Sequence, residues 1–168
     1  MNKRIYTFLI IVLFLGESAF ADCRYDTTQG ELENRFTVYE GQVFDAKTDL
    51  TWQRCSLGTH WSLAKQCTGE IEYLSLRMAK EKVKTLSDGW RLPNIEELFS
   101  LLDMNCTEPS INTNYFPDLV ETGEGAPYWS VTEVSDLPIL FYFIDFWNGS
   151  ADGHTEGFPL AVRLVKSN

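Results

Sequence analysis

The sequence reads as an α+β domain with a mainly antiparallel sheet of short strands, two helices and long loops, stapled by disulfides. Three features lead there. Short β-branched and aromatic runs lie toward both ends of the chain, two helical stretches separate them, and no regular strand–helix–strand alternation joins the parts. With 168 residues, 44% hydrophobic and 23% charged, the chain is long enough for one well-buried core. Disordered, collagen-like and repetitive classes are excluded, and no composition break divides residues 22–168, which are read as a single domain.

Residues 1–21 precede that domain. They carry Lys3 and Arg4, an apolar run over residues 8–15, and the small-residue ending Ala19-Phe20-Ala21, the three parts of a secretory signal peptide cleaved after Ala21. Gly16-Glu17-Ser18 halts the run short of the about 18 residues that cross a bilayer, so the mature form is expected to have no transmembrane anchor. A periplasmic or secreted bacterial protein follows. Cleavage leaves 12 basic and 23 acidic residues, a net −11, which repels phosphate backbones and makes nucleic acid a poor partner.

All four cysteines lie beyond the cleavage point. An even count in an exported chain points to disulfides, and the absence of any C-x-x-C pair argues against zinc, so neither metal nor cofactor is expected. Four cysteines allow three pairings. We expect Cys55–Cys67, closing a short loop, and Cys23–Cys106, tying the N-terminus to the body.

Residues 22–35 are polar and read as an irregular lead-in. Residues 36–44 and 50–53 then form a hairpin across the turn-forming stretch Asp45-Ala46-Lys47-Thr48-Asp49. Leu76, Ala79, Val83 and Leu86 recur at helical spacing over residues 76–86, with Ser75 as cap and Arg77, Lys80, Lys82 and Lys84 on the solvated face. Asp88-Gly89 ends that helix. A second begins after Trp90-Arg91-Leu92-Pro93-Asn94, where Asn94 caps and Glu97 completes a capping box ahead of Leu98, Leu101 and Leu102.

The stretch from residue 105 to 127 is rich in Pro and Gly and is expected to be irregular, held by Cys106, Ile111, Tyr115 and Phe116. Strands return at residues 128–132, 139–147 and 160–165. The middle one is apolar almost throughout, as in a strand buried on both faces, and Asn148-Gly149 turns the chain after it. Asp145 and Glu156 sit at the first and twelfth places of an EF-hand spacing. Trp147, Gly149 and Ser150 occupy its inner places, so this is assigned to chance.

One ordered set of motifs points further. It runs Phe44-Asp45, Leu50-Thr51-Trp52-Gln53-Arg54-Cys55, Gly58-x-x-Trp61, Cys67-x-Gly69, Gly89-Trp90-Arg91-Leu92-Pro93-Asn94-x-x-Glu97-Leu98, Ile111-Asn112, Phe116-Pro117, Tyr128-Trp129-Ser130 and Val162-Arg163-Leu164-Val165. From about residue 40 to the C-terminus it resembles the bacterial family typified by the C-terminal domain of the Legionella collagen-like adhesin. The resemblance implies an exported module of C-type-lectin-like fold, with glycan binding known for the adhesin type. The motif residues Trp52, Trp90, Arg91, Pro93, Asn94, Trp129 and Arg163 have a plainer physical account as scaffold, the tryptophans as anchors and the arginines as partners for carbonyls or a buried carboxylate.

Two departures from the resemblance bear on ligand. The chain is acidic where a binder of sulfated polymers would be basic, and Glu108-Pro109-Ser110 and Trp147-Asn148-Gly149 lack the acidic pairings of a calcium-dependent sugar site. The function expected is therefore a non-catalytic binding module for a glycan or surface ligand. Trp147, Asn148, Asp152 and His154, around the last predicted hairpin, are its candidate ligand-binding residues, because aromatic faces stack on sugars while Asn and Asp bond hydroxyls. The alternative is an envelope structural or assembly protein that binds another protein. Enzyme activity is not expected, since the four cysteines are assigned to bridges and no catalytic motif stands out.

Overall fold

Cys23 ties the N-terminal lead-in to the middle of the chain. The computed structural model, which describes residues 22–23 and 35–168, pairs β1 (Asp22–Cys23) antiparallel with residues 106–107 and bonds Cys23 to Cys106. The signal-peptide reading of residues 1–21 lies outside the described residues. No helix among the described residues is long and apolar enough to cross a membrane.

The expected first hairpin is a three-stranded meander. Glu40 takes a φ of 50° and, with Gly41, turns the chain, so residues 36–44 divide into β2 (Phe36–Tyr39) and β3 (Gln42–Asp45) before β4 (Leu50–Gln53). All three pair antiparallel. The Cys55–Cys67 bridge then closes a short loop that contains a further antiparallel pair, β5 (Thr59–Trp61) and β6 (Cys67–Gly69). By chain entropy a loop of 12 residues contributes about 3 kcal/mol and one of 83 residues about 4.5 kcal/mol.

The first helix, α1 (Leu76–Val83), is capped by Ser75, whose hydroxyl accepts from Met78 N at 3.3 Å. It stops short of the predicted residue 86, and Leu86 is left exposed. Its basic face is partly engaged: Lys82 pairs with Glu72, Lys84 with Glu81, and Lys80 lies 4.3 Å over the Phe141 ring. The second helix, α2 (Ile95–Phe99), has the capping box read from sequence. Asn94 Oδ1 accepts from Glu97 N at 2.7 Å, and Glu97 Oε2 accepts from Asn94 N at 2.8 Å.

After β7 (Cys106–Thr107) the irregular stretch runs to β8 (Pro127–Val134), which forms a sheet with β9 (Leu137–Asp145) and β10 (Ser150–Thr155) in the order β10-β9-β8. Side chains alternate across it. Tyr128, Ile144 and Phe146 join one core with Val43, Trp52, Leu98 and Ile111, while Trp129 and Phe141 join a second with Leu76, Ala79, Leu160 and Val162. Burial on both faces therefore holds for the C-terminal half of β9 only. Leu137 and Ile139 are 52% and 69% exposed, because β10 pairs with β9 no further than Leu140.

Residues 160–165 do not form the expected continuous strand. They thread between elements, exchanging backbone hydrogen bonds with Leu74, Trp129, Leu57, Gln53 and Arg91 in turn, and only β11 (Val165–Ser167) pairs regularly, beside β4. Within this segment Arg163 is fully buried, its guanidinium lying over the Phe116 and Tyr128 rings and donating to the carbonyls of Gln53 and Arg54, so a charged side chain takes up main-chain acceptors. Trp129 Nε1 donates to Leu74 O at 2.9 Å, whereas Trp52 Nε1 is buried without a hydrogen-bond partner among the described residues.

Candidate functional site

Four segments meet over one face of the β8–β9–β10 sheet. Antiparallel register sets Phe143 of β9 opposite Trp129 of β8 and Asp152 of β10, and sets His154 opposite Phe141, so all five side chains share that face. Trp129 lies fully buried at its base. Its ring meets Phe143 edge-on, with centroids 6.5 Å apart, and its Nε1 holds the Leu74 carbonyl.

Leu74 and Leu160 exchange backbone hydrogen bonds of 2.9 and 3.1 Å, which fixes the segment carrying Tyr73 beside the turn carrying Phe158. That turn closes through Phe158 N donating to Thr155 O at 3.1 Å, and it stacks the Phe158 ring on His154 with centroids 4.0 Å apart and planes 27° from parallel. The fourth wall is the loop with Thr122 and Glu124. Glu121 Oε1 accepts from Gly123 N and Gly125 N, holding the loop in shape.

Between these walls lies an open groove of about 570 Å³, lined chiefly by Tyr73, Phe143, His154, Phe158, Pro159 and Glu124. Tyr73 is 40% and Phe158 38% exposed, so aromatic surface faces solvent. Burial, and then the negative charge of Asp118, push the Tyr73 phenol up, keeping it a hydrogen-bond donor at neutral pH. Glu124 carries no ion pair among the described residues, and His154 Nε2 has no partner there, its Nδ1 lying 3.4 Å from Thr155 O. Chemically this is an apolar, stacking surface with a phenol, an imidazole and a carboxylate at its margins.

The residues nominated from sequence are divided by this geometry. His154 lines the groove, and Asp152 stands exposed on the same sheet face, its Oδ1 accepting from Gly153 N at 2.7 Å. Trp147 and Asn148 stand at the opposite end of the β9–β10 hairpin. Asn148 Nδ2 donates to Asp145 Oδ2 at 2.6 Å, its Oδ1 accepts from Ser150 N, and half-buried Trp147 packs against the first core. Their neighbour Asp145 also accepts from Ala126 N and Trp147 N, which makes it a turn anchor at the first place of the EF-hand-like spacing.

Tyr73, Phe143, Phe158 and Glu124 were not nominated from sequence. Phe158-Pro159, an aromatic residue followed by proline within a polar turn-forming stretch, is the one signal that marks an exposed aromatic.

The motif residues lie elsewhere. Arg91 forms a two-pronged pair with Glu97 at 2.8 and 2.6 Å, Pro93 is buried, and Trp90 lies 4.6 Å beneath Lys166. Cys55, Cys67 and Asp118 present ligand-type atoms within 4.8 Å of one another. Both sulfurs are consumed by the bridge and Asp118 is paired with Arg163, so the trio offers no thiolate to a metal.

No curated protein sequence matches the chain. The sequence model of a family described as the Lcl C-terminal domain does match, over residues 41–166, and the protein belongs to that family.

Proposed function

We propose that the protein is an exported, non-catalytic binding module of C-type-lectin-like fold that recognises a saccharide in the groove of Tyr73, Phe143, His154 and Phe158. One observation carries the reading: an aromatic pair, His154 on Phe158, stacked 4.0 Å apart and opening onto a groove with a phenol and a carboxylate at its margins, the carboxylate carrying no ion pair among the described residues. The C–H face of a pyranose is apolar and its edge is a ring of hydroxyls, so it matches a surface of this composition. Export is supported by two disulfides, which persist in oxidising compartments. The lectin-like reading is supported by the antiparallel sheet with two helices, the bridge closing the long N-terminal connection, and the family membership.

The test is a glycan array probed with the oxidised protein, followed by titration of the best ligand with wild type, Phe158→Ala and Tyr73→Ala. Removing either aromatic should weaken binding about tenfold, the equivalent of 1.4 kcal/mol. A ligand whose affinity is unchanged in both variants places the site elsewhere.

A further inference from the structure

The charge around the groove narrows the ligand. Among the described residues Glu124 stands on its lip with no cation beside it, and neither Lys nor Arg contributes to the lining. Arg77, half-buried Lys80 and Lys84 instead gather with Arg91, and with Glu81 and Glu156, around a separate cleft of about 350 Å³ between α1 and β8. The whole chain adds a net −10. A sulfate or uronate entering the groove would meet a carboxylate with no counter-charge among the described residues. An ammonium would meet that carboxylate together with the π-faces of Tyr73 and Phe158, both of which attract cations.

We infer that the groove binds amino sugars bearing a free ammonium in preference to their N-acetylated, neutral or sulfated counterparts. This rests on the saccharide reading above. Glu124 supplies the ion pair, Phe158 and Tyr73 supply the stacking surface, and the Tyr73 hydroxyl and His154 Nε2 are placed to bond ring hydroxyls. Because Glu124 is exposed, the preference weakens as salt screens the pair.

The experiment is calorimetric titration of the full oxidised protein with a short glucosamine oligomer, the N-acetylglucosamine oligomer of the same length and a heparin fragment, using wild type, Glu124→Gln and Phe158→Ala. The expected result is about tenfold tighter binding of the glucosamine oligomer than of its acetylated form, with heparin weakest. Glu124→Gln should weaken glucosamine binding about tenfold and so erase the difference between the two oligomers, and Phe158→Ala should weaken both.

Acetylated oligomer or heparin binding as tightly as glucosamine, or a preference that survives Glu124→Gln, overturns the inference. If Phe158→Ala still weakens binding in that case, the groove reading stands alone. Glucosamine binding that survives Phe158→Ala identifies diffuse attraction to an acidic protein and also overturns it. Failure of all three probes to bind overturns the inference together with the saccharide reading.

Discussion

Arg163 Nη2 lies 2.9 Å from Asp118 Oδ1, and the two side chains are 0% and 9% exposed. Arg163 Nε is buried without a partner among the described residues, but the pair's other polar groups are engaged. Asp118 also accepts from Ser56 N at 2.6 Å, Ser56 Oγ at 3.1 Å and Thr59 Oγ1 at 2.8 Å, while Arg163 donates to Ser56 Oγ and two main-chain carbonyls. One carboxylate thus joins the irregular stretch, the disulfide loop and the C-terminal segment. Replacing Asp118 by Ala leaves the Arg163 charge buried and unpaired, and should cost about 3–5 kcal/mol in urea unfolding. Arg163→Met, which removes the charge with its stem retained, should cost less than Asp118→Ala if the desolvated guanidinium is the main penalty.

The same pair sets a pH dependence. Burial alone would raise the Asp118 carboxyl, but the Arg163 charge and the hydrogen bonds from Arg163, Ser56 and Thr59 outweigh it and hold it below its usual range. Glu97 moves the same way, burial being outweighed by the Arg91 hydrogen bond, the Asn94 amide and the Arg91 charge. A carboxyl lowered in the folded state contributes stability that is complete above its unfolded value, about 4, and is lost as pH falls below it. The urea midpoint should therefore drop as pH falls below about 4, and Asp118→Asn should flatten that slope even though it lowers the midpoint at neutral pH.

Sequence and structure agree where the signal is local or covalent. The Asn94–Glu97 capping box needs only a spacing of three residues, two bridges are what an even cysteine count behind a signal-peptide pattern leads one to expect, and Arg163 is too costly to bury without the carbonyls and carboxylate it finds. Long-range partnerships are invisible to that reading. Asp118 is one acid among 24 Asp and Glu, and nothing at its position says that it meets a residue 45 places away. The groove is harder still, because Tyr73, Glu124, Phe143 and Phe158 come from four segments whose meeting depends on the Leu74–Leu160 pairing and on strand register. Trp147 and Asn148 were nominated beside His154 by closeness in sequence, and a six-residue strand carries them to the other end of the hairpin.

Gly125 is held against Asp145. Its φ is +91°, and an added Cβ would fall 2.2 Å from Asp145 Oδ2, on the carboxylate that anchors Ala126, Trp147 and Asn148. Gly89 has a comparable φ of +77° but nothing within 4 Å of such a Cβ. Gly89→Ala should therefore show backbone strain alone, about 1 kcal/mol, whereas Gly125→Ala should lose at least about 2 kcal/mol more as the turn anchor is displaced. Equal losses in chemical denaturation would mean that the Asp145 carboxylate yields freely.

Trp129 links the core to the groove, and its indole can be tested without emptying the core. Leu74 O accepts from both Trp129 Nε1 and Leu160 N, so Trp129→Phe removes the side-chain bond that ties the Tyr73 segment to β8 and leaves the two-way Leu74–Leu160 exchange in place. Ring volume is largely retained, and the loss of one partly compensated hydrogen bond should cost about 1 kcal/mol of global stability. The local effect should be larger than the global one. Amide exchange at Leu74 and Leu160 should accelerate by more than global destabilisation accounts for, and the affinity of any groove ligand should fall, because the wall bearing Tyr73 is held less firmly over β8. Exchange that rises uniformly over β8 and β9 as well would show instead that Trp129 acts on the core as a whole.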